Sequence, residues 1–138
     1  MAPVWDTKIA VVVREDLAVW QKLNVTAFVV SGVAATVDGV VGENYRDATG
    51  NEYLPMFRQP VLVFAASADQ LTKVHERALT REVPMAVYTE ELFATGHDDD
   101  NRAAVAAVEA EKLTLVGLAL RADRRIVDKI VKGLALHP

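Results

Sequence analysis

Two clusters in this chain of 138 residues have types and spacing that suit chemistry. One is Arg14-Glu15-Asp16, which closes the apolar run Lys8 to Val13, taken with Thr89-Glu90-Glu91, which follows Met85 to Tyr88. A guanidinium there can meet an anionic group, and a carboxylate such as Glu90 can move a proton. The other is Thr95-Gly96-His97-Asp98-Asp99-Asp100, which joins an imidazole to three carboxylates. That combination suits either a hard metal ion or a histidine held by an acid for proton transfer. Its spacing matches no calcium loop, zinc signature or catalytic triad, and the run equally suits the N-cap and acidic first turn of a helix, so no metal site is expected. Asn24 and Thr26 stand near the start of a nearly apolar segment, where an amide and a hydroxyl need a partner. That partner is either a ligand or a backbone carbonyl of a neighbouring loop. His75 reads as packing on an amphipathic helix, and His137 as tail.

These residues need elements to position them. Lys8 to Val13 is β-branched and apolar on both faces, as a strand covered on both sides must be. Trp20 to about Val37 is apolar nearly all round and too long for a strand, which predicts a helix enclosed by the fold. Asp38 to Gln59, with three glycines and Pro55, reads as a long excursion containing short strands. Pro60 to Ala66 is a second buried strand, and Ser67 and Gln70 have the spacing of a capping box that starts a helix. Its apolar stripe is Leu71, Val74, Ala78 and Leu79. Met85 to Tyr88 is a third strand, Thr89-Glu90-Glu91 caps a brief turn, and Asp98 or Asp99 caps a helix running to about Glu111. Leu113 to Ala119 is the fourth strand, and Arg124 to Lys132 a last helix stopped by Gly133. Strand and helix alternate four times, a pattern that predicts an α/β fold on a largely parallel sheet with helices on both faces. In such sheets the ligand crevice lies beyond the carboxyl ends of the strands.

Composition removes several classes of function. A single domain spanning residues 1–138 is expected from the length, and 51% apolar with 25% charged residues is the balance of a chain that folds unaided. With no cysteine, disulfides, iron-sulfur clusters, thiolate zinc and cysteine nucleophiles are all excluded, and a reducing, cytoplasmic setting is expected. A formal charge of -4 argues against nucleic-acid binding, and residues 82–111 carry eight acids against Arg102 alone. No signal segment opens the chain and no apolar run is long enough for a bilayer, so no membrane partner is expected. Gly39-Val40-Val41-Gly42 lacks the Lys-Ser/Thr of a phosphate loop, and there is no Gly-x-Ser-x-Gly elbow. No cofactor is expected.

Val12-Val13-Arg14-Glu15-Asp16-Leu17 and Ile126-Val127-Asp128-Lys129-Ile130, with the order of elements, resemble the archaeal and eukaryotic type of peptidyl-tRNA hydrolase. The nearer resemblance is to an uncharacterised bacterial family, the domain of unknown function numbered two thousand, similar to those hydrolases in fold. It runs through Leu23-Asn24-Val25-Thr26-Ala27-Phe28, Asp47 to Tyr53, Phe93-Ala94-Thr95-Gly96-His97, Asn101-Arg102 and Gly133-Leu134-Ala135-Leu136. The resemblance implies a three-layer α/β/α sandwich on a mixed four-stranded sheet, peptidyl-tRNA hydrolase II-like and often dimeric. It also implies a lysine and, one turn later, a glutamine in the first long helix. With a one-residue gap those positions fall on Asn24 and Phe28, and without it on Leu23 and Ala27. The family's aspartate position falls on Thr89 or Glu90, and Thr95 stands for its threonine. Lys22 precedes Asn24 by two residues and so points roughly 200° away around the helix, at about 100° per residue. Loss of such a fixed cation typically costs about a hundredfold or more in rate, so efficient peptidyl-tRNA hydrolysis is not expected.

The sequence therefore predicts a crevice in which Arg14, Asp16, Asn24, Thr26 and Thr95 bind a small polar ligand, with Glu90 and His97 as catalytic residues if there is chemistry. The alternatives are an aminoacyl or peptidyl ester hydrolase acting through Glu90 or His97, and a homodimeric scaffold with no small ligand.

Overall fold

The computed structural model describes residues 5–138. In chain order the elements are β1 (Thr7–Arg14), α1 (Val19–Thr36), a hairpin of β2 (Tyr45–Arg46) and β3 (Glu52–Tyr53), and β4 (Val61–Ala66). Then come α2 (Ala68–Thr80), β5 (Met85–Thr89), a 3-10 turn at Glu90–Ala94 and α3 (Asp98–Ala106). A second 3-10 turn at Ala110–Lys112 leads into β6 (Leu115–Asp123), α4 (Arg124–Ile130) and β7 (Ala135–Leu136). No helix among the described residues is long and apolar enough to cross a membrane.

The main sheet has five strands in the order β5-β6-β1-β4-β7. It is mixed: β1 and β4 are parallel, whereas β6 runs antiparallel to both β1 and β5, and β7 antiparallel to β4. The largely parallel sheet predicted from alternation is thus corrected, and so is the count of four strands. The reason for the first is α3, which buries no residue and does not cross the sheet. Without a packed crossover the chain re-enters beside β5 in the opposite direction, as a hairpin connection does. The fifth strand is only two residues long and follows the turn at Gly133, whose φ of 89° suits a residue without Cβ. The predicted helix to Glu111 also ends early, at Ala106, and the following strand runs on to Asp123.

Two apolar clusters lie on opposite faces of the sheet, giving three layers. Ala10, Val12, Leu118 and Leu120 meet Leu71, Val74 and Ala78 of α2 and Val127 and Ile130 of α4. Ile9, Val11, Val13, Val116 and Ala119 meet Val25, Val29 and Val33 of α1. The α2 cap forms as its spacing requires: Ser67 Oγ accepts from the Gln70 N–H at 3.2 Å, and Gln70 Oε1 accepts from the Ser67 N–H at 2.9 Å.

Helix α1 is not enclosed, contrary to its composition. The sheet covers one stripe of it, at i, i+4 and i+8, and leaves Val19, Trp20, Leu23 and Phe28 exposed. Close approach to the sheet explains how one stripe suffices. A Cβ built on Gly117 would lie 2.4 Å from Val25 Cγ1, and one on Gly32 would lie 3.1 Å from the Ala86 Cβ.

A candidate ligand cleft beside the first helix

The pairings Tyr88↔Gly117 and Val13↔Gly117 and Val13↔Ala65 set the far ends of β5, β1 and β4 side by side. The loops after Arg14 and Thr89 therefore leave from one edge of the sheet, the edge on which α1 begins. Between α1 and the segment that follows β5 lies an open cleft of about 470 Å3. Trp20, Asn24 and Phe28 line one wall at i, i+4 and i+8 of the helix, and Tyr88, Phe93, Thr95 and His97 line the other.

Four aromatic rings form the apolar part of this wall. Trp20 meets Phe93 edge-on at 6.1 Å between centroids, Phe28 meets Tyr88 at 5.8 Å, and Tyr88 lies 5.1 Å from Phe93. Burial pushes the Tyr88 hydroxyl up from its ordinary pKa, and hydrogen bonding with the Asn24 amide offsets part of that rise. Thr95 Oγ1 lies 3.1 Å from the Leu92 carbonyl and within bonding distance of Asn101 Oδ1, its one proton serving either oxygen, which places the loop against the start of α3. Among the described residues neither lysine nor arginine lines the cleft, and Asp98, which does, pairs with Arg102 at 2.5 Å.

The predicted site residues fall into three groups. Asn24, Thr95 and His97 come together in this cleft. His97 is the N-cap residue of α3, in place of Asp98 or Asp99, and its ring stays exposed while the three aspartates supply the acidic first turn. Arg14, Asp16 and Glu90 form a separate knot at the same sheet edge. Arg14 Nε donates to Asp16 at 2.6 Å, and its NH1 lies 2.7 Å from Glu90 Oε1 and 3.4 Å from the Leu115 carbonyl. Burial opposes the Arg14 charge, but the bonds to Asp16 and Glu90 outweigh it and raise the pKa. A guanidinium holding two carboxylates already has the anions that the sequence reading left for a ligand. Thr26 is the outlier: its hydroxyl donates to the Lys22 carbonyl at 2.8 Å, one turn back in its own helix, and it faces a different cleft.

Sequence reasoning missed Trp20, Phe28, Tyr88 and Phe93. The available signal was the four-residue spacing of Trp20, Asn24 and Phe28, which puts one polar and two aromatic side chains on a single helical face. No group of three or more His, Asp or Glu side chains among the described residues is arranged to hold a metal ion.

A sandwich with one helix on one face, two on the other, and an aromatic cleft at the strand ends defines the class structurally. The family described as "Protein of unknown function (DUF2000)" matches residues 7–138, and the chain belongs to that family. It is similar to a solved structure of Atu0240, a protein of unknown function from Agrobacterium tumefaciens strain C58, at 52% identity and a TM-score of 0.95. The similarity covers 98% of this chain and 100% of that one. None of the curated proteins compared with the chain matches it.

Proposed function

We propose that the aromatic cleft binds a small, uncharged or cationic molecule with a flat ring and a hydrogen-bonding edge, in a cytoplasmic setting that a chain without cysteine suits. The observation that carries this reading is the opposition of Trp20, Phe28, Tyr88 and Phe93 to Asn24, Thr95, His97 and Asn101 around one open space. Rings supply area at small entropic cost, and the amides and hydroxyl fix orientation. The lack of a lysine or arginine among the described residues that line the cleft disfavours an anion.

The scaffold is read as peptidyl-tRNA hydrolase II-like without efficient peptidyl-tRNA hydrolysis. Asn24, at the position implied for the catalytic lysine, is a neutral amide, and Lys22 serves the opposite side of α1. An ester hydrolase would use His97, because Glu90 is engaged by Arg14. Titration of aromatic amide fragments, followed by amide NMR shifts and Trp20 fluorescence, tests the binding reading. Ligands should perturb Asn24, Thr95 and Asn101 together, and Asn24→Leu should weaken them about tenfold. Fragments that bind elsewhere, or equally to the variant, refute it. Peptidyl-tRNA turnover abolished by Asn24→Ala or His97→Ala would instead establish the hydrolase.

A second reading, a homodimer, is favoured by the arm between Val40 and Arg58. Tyr45, Tyr53, Leu54 and Met56 are all exposed there, Leu54 by 84%. Four large apolar side chains on one projecting ribbon form the kind of surface that partners cover.

A further inference from the structure

The other side of α1 carries a second open cleft, of about 460 Å3, lined by Val13, Val19, Leu23, Ala27 and Val63, with Lys22, Thr26 and His137 as its polar members. Its cation is unusual in its company. Lys22 is half-buried and makes no ion pair among the described residues; its Nζ lies 3.1 Å from His137 Nε2. His137 Nδ1 lies 3.0 Å from a main-chain oxygen of Pro138, an acceptor, which leaves Nε2 to face the ammonium. The contact with the ring uses one of the three ammonium donors.

This arrangement is built by the strand that the sequence reading missed. Pairing of β7 with β4, and the bond from the His137 N–H to the Val63 carbonyl at 2.8 Å, fix His137 against the sheet edge facing Lys22. Thr26 closes its hydroxyl onto the helix and does not compete.

We propose that this cleft is a binding site for an amphipathic monocarboxylate, distinct from the aromatic cleft. The carboxylate takes the remaining Lys22 donors, and an unbranched apolar tail lies along Val13, Leu23, Ala27 and Val63. A charge-assisted bond at an apolar wall rewards a ligand with one anionic end and one greasy end, and neither end alone is enough. A second copy of the chain is a poorer occupant, since a two-fold contact of α1 on α1 centred here would bring two ammonium groups together in an apolar seam.

Octanoate is the probe, with octanol as the uncharged control, each titrated into the whole protein and followed by amide NMR shifts and calorimetry. Octanoate should shift Lys22, Leu23, Val63 and His137 and leave Phe93 and Thr95 unmoved. Lys22→Met should weaken it about tenfold or more, Lys22→Arg should retain most of the affinity, and octanol should bind like octanoate to the Met variant. Ala27→Trp, at an exposed helix position, should block the tail with Lys22 intact. The proposal is overturned by absence of octanoate binding, by wild-type affinity in the Met or the Trp variant, by shifts confined to the aromatic cleft, or by self-association that buries Lys22.

Discussion

His75 lies on the buried stripe of α2 with Leu71, Val74 and Ala78, taking the place predicted for Leu79, and is only 6% exposed. Burial pulls its pKa below the ordinary 6.5, and the nearby Glu76 charge offsets only part of that. The sign follows from linkage. The folded state holds the neutral ring, so the unfolded chain takes up the proton first as pH falls. This stabilisation is fully present above the unfolded pKa and is lost as pH falls through the depressed folded one. Denaturant midpoints should therefore drop from about pH 7 to about pH 5 more steeply in the wild type than in His75→Gln. Parallel curves would remove the argument. At this scale Asn24, Thr95 and His97, which chemistry alone marks in the sequence, lie around one cleft. Arg14, marked by the same reasoning, is held by Asp16 and Glu90, a pairing that residue types alone do not reveal because it depends on which strand ends the fold sets side by side. The aromatic wall escaped because Trp20 and Phe28 sit in a segment so uniformly apolar that their shared face was hidden.

The seating of α1 depends on Gly117, which pairs with both Val13 and Tyr88 in the middle of the sheet. A bulge there sets Val116 and Gly117 opposite one residue step of β5, so both turn toward the helix. Gly117→Ala places a methyl 2.4 Å from Val25 Cγ1. Overpacking of this kind costs about 1 to 3 kcal/mol. Val25→Ala alone leaves a cavity and also destabilises, but the double variant should lose less than the two single losses added, because the new methyl enters the space vacated. Urea unfolding of the four proteins measures the coupling, and strict additivity would show that α1 does not rest on this contact. Ser67 and Gln70, the β-branched runs and Gly133 made the elements legible. Strand direction was not, since alternation of strand and helix implies a parallel sheet only when the helix packs across it, and Asp98 to Ala106 is too polar to do so. Nor does a pattern reveal β7, where two residues pair through backbone bonds that any side chain permits.

Across the molecule, apolar surface is distributed unevenly. The sheet faces are covered by three helices, while the ribbon from Val40 to Arg58 is anchored in the core by Val40, Val41 and Phe57 and closed on itself by bonds from the Gly42 N–H to the Met56 carbonyl and from the Arg58 N–H to the Val40 carbonyl, each 2.9 Å. Its tip is internally well ordered. Asp47 accepts from the Thr49 and Asn51 N–H groups at 3.0 Å and from the Tyr53 hydroxyl at 2.7 Å, and these bonds hold its carboxyl well below the usual range. Such a ribbon, with Tyr45, Tyr53, Leu54 and Met56 exposed, would need little further ordering to bury those side chains in the proposed homodimer. The expectation is a dimer in sedimentation velocity at micromolar concentration, which Leu54→Arg with Met56→Arg converts to a monomer of unchanged thermal unfolding. Because the substitutions lie away from both clefts, fragment and octanoate binding should survive in the monomer. A wild type that sediments as a monomer at every concentration would leave the ribbon without a self-association role.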